Sequence, residues 1–280
     1  MRKTVFMMLS ATLALGGCDL FDKDGKLDLQ LTDAPYTDAQ AVVVTIRSIR
    51  LQPVDGDHED FDLNPALRVD LLQLRNGAVR QLLSDEALPS GDYTSIRLTL
   101  DSGDDDNYVQ GLNGGVYPLD VPDDELDLDS DFSIDDHGTT KLTLDVDLRR
   151  SLRAPDDDSD HYRLVPSLRL VDDDDVGAIS GTIRGALIGS GCAAAVYVYQ
   201  GKVTPDDIGG SGAQPYSSAD VIAAGDGSYR YTAAFLPEGD YSLALTCDAD
   251  EDDPAGNDAI DFGDAEHVDV RKQHTATQDF

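Results

Sequence analysis

The chain has 280 residues, 40% of them hydrophobic, with 55 acidic side chains against 21 basic ones and a formal net charge of −34. That length suits one or two domains, and that charge argues against binding to nucleic acid or to a bare anionic membrane surface. Only 6 of the acids are Glu and 49 are Asp, a residue of turns, caps and loops, so the composition predicts a helix-poor protein.

Arg2 and Lys3 precede an apolar stretch over residues 5–15. It fits a signal core and falls short of the ~20 residues that a spanning helix needs. Leu15-Gly16-Gly17-Cys18 ends it. This resembles the lipobox of bacterial lipoproteins. The resemblance implies cleavage before Cys18, diacylation of its thiol and acylation of the new amino terminus. Residues 1–17 then form a lipoprotein signal peptide and 18–25 a lipidated tether. The alternative is a plain secretory signal with an incidental cysteine. One acyl chain, at ~0.8 kcal/mol per buried methylene, anchors only marginally, whereas several hold firmly. The expected location is therefore extracytoplasmic and membrane-anchored. Asp19 resembles the residue that retains lipoproteins in the inner membrane of enteric-type bacteria; without that signal, the outer membrane or cell surface is expected.

The expected fold class is all-β, with two β-sandwich domains in tandem after the signal. In the first domain, residues 26–171, Leu27, Leu29 and Leu31 alternate with polar residues up to a turn at Asp33-Ala34-Pro35. Asp33 reads as a turn residue bonding nearby amides rather than as a ligand. Over residues 41–51, Val42, Val44 and Ile46 share a face before the phase shifts to Ile49 and Leu51, which predicts a bulge. Further strands are predicted over residues 67–71, 93–100, 141–149 and 162–171, with a short helix over 80–87. Along residues 142–149, Leu142, Leu144, Val146 and Leu148 face one way and Thr143, Asp145, Asp147 and Arg149 the other. Asp127, Asp129 and Asp131 line what reads as the wet face of a strand. The segments LQLTDAPYTDAQAVVVTIRSIRLQ, VDLLQL, LPSGDYTSIRLTLD, LTLDVDLRRSL and YRLVPSLRLV resemble domain-of-unknown-function family 4382 of bacterial envelope lipoproteins. That resemblance implies an envelope location and a β-rich fold, and brings no catalytic residues with it.

Residues 172–176 form an acidic linker, expected to be extended by like-charge repulsion. In residues 177–280, strands are predicted over 178–183, 193–199, 225–231, 241–246, 267–270 and 275–280. The pattern GAISGTI, AAAVYVYQG and GDGSYRYTAAFLPEGDYSLALT resembles the carboxypeptidase regulatory-like, or transthyretin-like, sandwich. It implies a spacer or interaction module, not a peptidase. Cys192 and Cys247 each share alternation phase with apolar neighbours. In an oxidising compartment they are expected to form a disulfide, with two free buried thiols as the alternative.

The acid runs have two readings, solvated loops or calcium, a hard cation that takes carboxylate and carbonyl oxygens. The calcium candidates are Asp22, Asp24 and Asp28 in an incomplete loop pattern, and Asp248, Asp250 and Asp252 in a second run. No other cofactor is expected. The five histidines show no zinc-ligand spacing, and neither a Gly-x-Ser-x-Gly elbow nor a phosphate-binding glycine loop occurs. With no Trp, a sugar-stacking platform would have to come from residues such as Tyr197 and Tyr199. The chain thus reads as a non-enzymatic binding or assembly module with a protein or polysaccharide partner. A calcium-dependent adhesin or glycan-binding protein is the alternative, and a hydrolase a remote one.

Overall fold

The computed structural model describes residues 24–155 and 159–280. Cys18, Asp19 and Asp22 lie outside the described residues. In the first domain the strands are β1 (Asp24–Ala34), β2 (Ala39–Pro53), β3 (Glu59–Asp70), β4 (Arg80–Pro89), β5 (Gly91–Leu100), β6 (Tyr108–Gly111), β7 (Val116–Asp120), β8 (Glu125–Ile134), β9 (Thr139–Asp147), β10 (Leu152–Arg153), β11 (Tyr162–Leu164) and β12 (Leu168–Asp172). One sheet runs β12-β9-β1-β4; the other runs β10-β11-β7-β6-β2-β5-β8, with β3 also paired to β2.

The alternating leucines explain why these sheets face each other. Leu27, Leu29 and Leu31 of β1 and Leu142, Leu144 and Val146 of β9 meet Val42, Val44, Ile46, Ile49 and Leu51 of β2 in one buried cluster. Each fully buried side chain of this size stabilises by roughly 1.5–3 kcal/mol. The phase change in β2 is a register shift between Ile46 and Ser48, present against both β3 and β5. It lets Ile49 and Leu51 return to the core face. Residues 80–87 are not a helix: they belong to β4, antiparallel to the edge of β1. Pairing satisfies that edge and buries Leu82, Leu83 and Leu88, which outweighs the weak helical propensity of so short a segment.

The second domain holds β13 (Val176–Ile183), β14 (Ala195–Gln200), β15 (Ser217–Asp220), β16 (Ile222–Ala223), β17 (Tyr229–Pro237), β18 (Gly239–Thr246), β19 (Glu266–Val270) and β20 (Thr275–Thr277). Sheets β16-β17-β13-β20 and β15-β14-β18-β19 enclose Ile179, Ile183, Val196, Val198, Tyr231 and Leu243. The opposite face of β14 and β18 is covered as well. Tyr197, Tyr199 and Ala244 pack there with Ile208 and Ala249 from two long connections, residues 201–216 and 247–265. Tyr197 and Tyr199 are fully buried and offer no stacking platform.

One sheet-to-sheet turn recurs in both domains. Leu88-Pro89-Ser90-Gly91-Asp92-Tyr93 and Leu236-Pro237-Glu238-Gly239-Asp240-Tyr241 each place a glycine at positive φ where the chain passes from one sheet to the other, β4 to β5 and β17 to β18. In each, the tyrosine hydroxyl donates to the proline carbonyl at 2.8 Å. The acidic linker is compact rather than extended. Asp172 caps a single 3₁₀ turn over Asp173–Asp175. The Thr143 hydroxyl donates to Asp173 at 2.6 Å, and Lys272 pairs with Asp175, so the repulsion is offset locally. Cys192 and Cys247 form the disulfide, with Cα atoms 4.5 Å apart. It ties the chain entering β14 to the chain leaving β18, and its cysteines are half-buried at the sheet end instead of central in the core.

Candidate functional site

The carboxylates predicted to hold calcium are dispersed. Asp24 opens β1 opposite Pro89. Asp28 accepts the Asp85 amide at 2.8 Å and serves the β1–β4 bulge. Asp248 accepts the Asp261 amide at 3.1 Å and closes the 247–265 connection, while Asp250 is exposed. Asp252 is different. Among the described residues it converges with Asp207 and Asp258, and one carboxylate oxygen from each lies within 4.8 Å of the others.

The two long connections build this trio. Asp252 accepts the Tyr197 hydroxyl at 2.6 Å and the Ile208 amide at 3.1 Å. Asp207 Oδ2 accepts the Asp258 amide at 2.6 Å. Asp258 accepts the Asp253 amide at 2.8 Å. Gly209, at φ +89°, lets the strands of loop close up, since a Cβ there would sit 2.5 Å from the Gly256 carbonyl oxygen. Desolvation pushes the Asp252 carboxyl above its ordinary range, against the pull of its two donors. Each pair of carboxylates at this separation repels by about 3–4 kcal/mol at an effective dielectric near 20.

A second polar cluster lies between the domains. Arg169, on β12, donates to Asp145 of β9 at 2.7 Å and to the Tyr216 carbonyl at 3.1 Å, with its guanidinium 4.2 Å from the Tyr216 ring centroid. Arg149 donates to the Ala249 carbonyl at 2.7 Å and lies over the Tyr197 ring. Arg150 reaches the Pro215 carbonyl at 2.8 Å, and Arg75 pairs with Asp220 at 2.6 Å. The strand predicted over residues 141–149 ends at Asp147, where a short helical turn over Leu148–Ser151 capped by Asp147 follows. Thr143 and Asp145 on β9 and Arg149 on that turn are buried, so this polar face is not wet.

Asp33 also belongs to this junction. It does not bond a neighbouring amide but accepts the Leu148 amide across the β1–β9 pair, at 3.2 Å. Asp33 Oδ2, Asp145 Oδ1, Asn76 Oδ1 and Ser218 Oγ are buried without hydrogen-bond partners, and their residues line one cavity of about 10 Å³. That is room for about one water molecule. Desolvation, reinforced by Asp145, holds the Asp33 carboxyl well above its usual range. Asp147 is pushed up to about 6, chiefly by desolvation and then by Asp145.

One arrangement superficially resembles a nucleophile and its base: Ser242 Oγ lies 3.0 Å from His267 Nδ1. Ser242 is fully buried and its hydroxyl already donates to the Gly201 carbonyl at 2.7 Å. Its proton is thus directed away from the imidazole, opposite to what nucleophile activation requires. Of the junction residues, the sequence pointed to Asp33 alone, as a turn residue, and gave the arginines no role. The available signal was scarcity: with 21 basic residues in the chain, Arg149 and Arg150 fall on the helical turn Leu148–Ser151 just after β9 and Arg169 on β12, in segments otherwise rich in acids.

A family model described as Domain of unknown function (DUF4382) matches residues 24–166. No curated protein matches the chain. Solved structures with similarity include a leucine-rich repeat protein from Bacteroides thetaiotaomicron, at 12% identity and TM-score 0.25, covering 92% of this chain and 26% of that one. The minor pilin of Streptococcus agalactiae matches at 11% identity and TM-score 0.21, covering 90% and 94%. The fimbrial anchor protein Mfa2 from Porphyromonas gingivalis matches at 12% identity and TM-score 0.19, covering 79% and 78%. The chain spans about a quarter of the length of the leucine-rich repeat protein.

Proposed function

We propose that this chain, which belongs to the DUF4382 family, is a lipid-anchored, non-enzymatic envelope protein whose two sandwiches act as one rigid presenting or assembly module. The arginine junction carries the reading. Linked domains move relative to each other by default, unless the contact between them is extensive. Here Arg75, Arg149, Arg150 and Arg169 all reach from the first domain into the second. Such a junction suits a part that holds a surface at fixed geometry. We read Leu15-Gly16-Gly17-Cys18 as the lipobox that anchors it, and residues 177–280 as a carboxypeptidase regulatory-like sandwich used as a spacer. The partner is then a protein or polysaccharide of the envelope.

The test is fractionation of cells making the full chain or its Cys18→Ala variant, with palmitate labelling, followed by crosslinking in the native membrane. Labelled, membrane-bound wild type and unlabelled, released variant are expected. A wild-type chain that stays soluble and unlabelled would end the anchoring reading. Failure to crosslink any envelope component would end the presenting role.

A further inference from the structure

We propose that Asp207, Asp252 and Asp258 form a calcium site that pins the two long connections of the second domain together. This goes beyond the presenting role and is independent of whether the chain is anchored. The trio alone is an acidic cluster, and acidic clusters are common on a chain with this charge. What sets it apart is Asp207. That residue is 1% exposed, its Oδ2 is used by the Asp258 amide, and its Oδ1 is sealed from solvent with no hydrogen-bond donor. A buried carboxylate oxygen without a donor is a site lacking a positive partner. Among the described residues no ion pair reaches Asp207, Asp252 or Asp258. The neighbouring cation, Arg149, donates to the Ala249 carbonyl and acts on Asp252 through its charge without forming an ion pair.

The geometry and chemistry select the ion. Calcium binds oxygens at about 2.3–2.6 Å, so ligands on opposite sides of it stand about 4.6–5.2 Å apart. The spread of 4.8 Å among the three carboxylate oxygens matches that span. All three donors are hard oxygens, which suits calcium and not zinc. Calcium takes 6–8 ligands in flexible geometry, and the loop backbone can add to the three carboxylates. The carbonyl oxygens of Pro254 and Gly256 crowd Gly209, beside Asp207 and Ile208. Magnesium wants a tighter octahedron and keeps its waters, which suits two irregular loops less well.

The site also adjoins the domain junction. Asp252 holds the Tyr197 hydroxyl, the Arg149 guanidinium lies 5.6 Å from that ring, and Ala249 on the same connection receives Arg149. A bound cation would therefore stiffen the surface that the first domain grips.

The experiment uses the full chain in detergent, stripped with EDTA and titrated with calcium chloride by calorimetry and thermal unfolding. One saturable calcium per chain, and a melting midpoint raised by several degrees at 1 mM, are expected. Terbium offers a second readout: the chain has no Trp, and Tyr197 touches the site, so excitation of tyrosine should sensitise terbium emission that calcium quenches. Asp258→Asn is the key variant, because Asp207 uses the backbone amide of residue 258 and not its side chain. It should weaken calcium at least tenfold with unchanged circular dichroism. Asp104→Asn, in an acid run of the first domain, should change nothing. No stabilisation at millimolar calcium overturns the proposal. So does equal calcium binding by Asp258→Asn, which would reveal only diffuse binding to the acid loops. An equal response to magnesium chloride overturns the choice of ion.

Discussion

Replacing Arg169 with methionine tests whether the two sandwiches behave as one body. The Arg169 side chain is 19% exposed and its partner Asp145 only 4%. Methionine keeps the apolar cover on Tyr216 but removes the charge and every donor. Asp145 is then left buried beside Asp33 and Asp147 without its cation. Removing one member of a buried pair costs about 3–5 kcal/mol, more than the pair itself contributes. For a folded body of this size, each kcal/mol moves the midpoint by about 2–4 °C, so a fall of about 6–20 °C is expected. Calorimetry of the full chain should show one endotherm in the wild type and two in Arg169→Met, as the first and second domains uncouple. Adding Asp145→Asn should recover more than half of the loss, because the stranded charge goes with it. A single endotherm within about 2 °C of wild type would refute the argument, as would a double variant no better than the single one.

The buried acids of the junction also set a pH dependence. A carboxyl whose folded pKa is raised contributes stability that is fully present below its unfolded value and lost as pH rises through its folded value. For Asp147, raised from 3.8 to about 6, that window is about pH 4 to 6, and Asp33 acts in the same direction. Full burial would make the Asp147 effect ~3 kcal/mol, but the side chain is half-buried, so about 1–2 kcal/mol is expected. Denaturant midpoints should rise on acidification from pH 7 to 5. Asp147→Asn should flatten that rise while still capping the Arg150 amide; a variant profile parallel to wild type would remove the assignment. The disulfide closes a loop of 55 residues, so reducing it, or changing Cys192 and Cys247 to Ser, should cost about 4 kcal/mol in the chain-entropy model. A denaturation midpoint that does not move on reduction would contradict this. If Cys18 is lipidated, the five residues between it and β1 reach roughly 12 Å, and lipid-borne quenchers should reach labels on the first domain more readily than labels on the second. The reverse order would invert the proposed orientation.

Period-two alternation made much of the first sandwich readable. Leu27, Leu29 and Leu31 could only face a core, and the phase change between Ile46 and Ile49 was visible because β-branched residues bracketed it. The segment 80–87 misled because Arg, Gln, Leu and Glu favour helices locally, whereas its fate was decided by the unpaired edge of β1. The Cys192–Cys247 bond was readable from strand phase, since both cysteines continue the apolar rhythm of neighbouring strands. That phase argument placed them centrally, and the structure puts them at the sheet end.

The functional features escaped the sequence for a common reason: each depends on what covers a surface. Asp145 and Arg149 alternate with core residues, as a wet face would, and nothing local distinguishes solvent from a second domain. Tyr197 and Tyr199 read as the outer face of β14, and so they are, but two loops fold over that face and bury them. The same loops bring Asp207 and Asp258 together, 51 residues apart in sequence. Among 49 aspartates their identity carries no information; what distinguishes them is the loss of solvent. Burial turns an ordinary acid into a demand for a partner. At the junction the chain answers that demand for Asp145 with Arg169 and for Asp220 with Arg75. At the trio it offers no hydrogen-bonded cation of its own, and the proposed calcium would supply the missing positive charge.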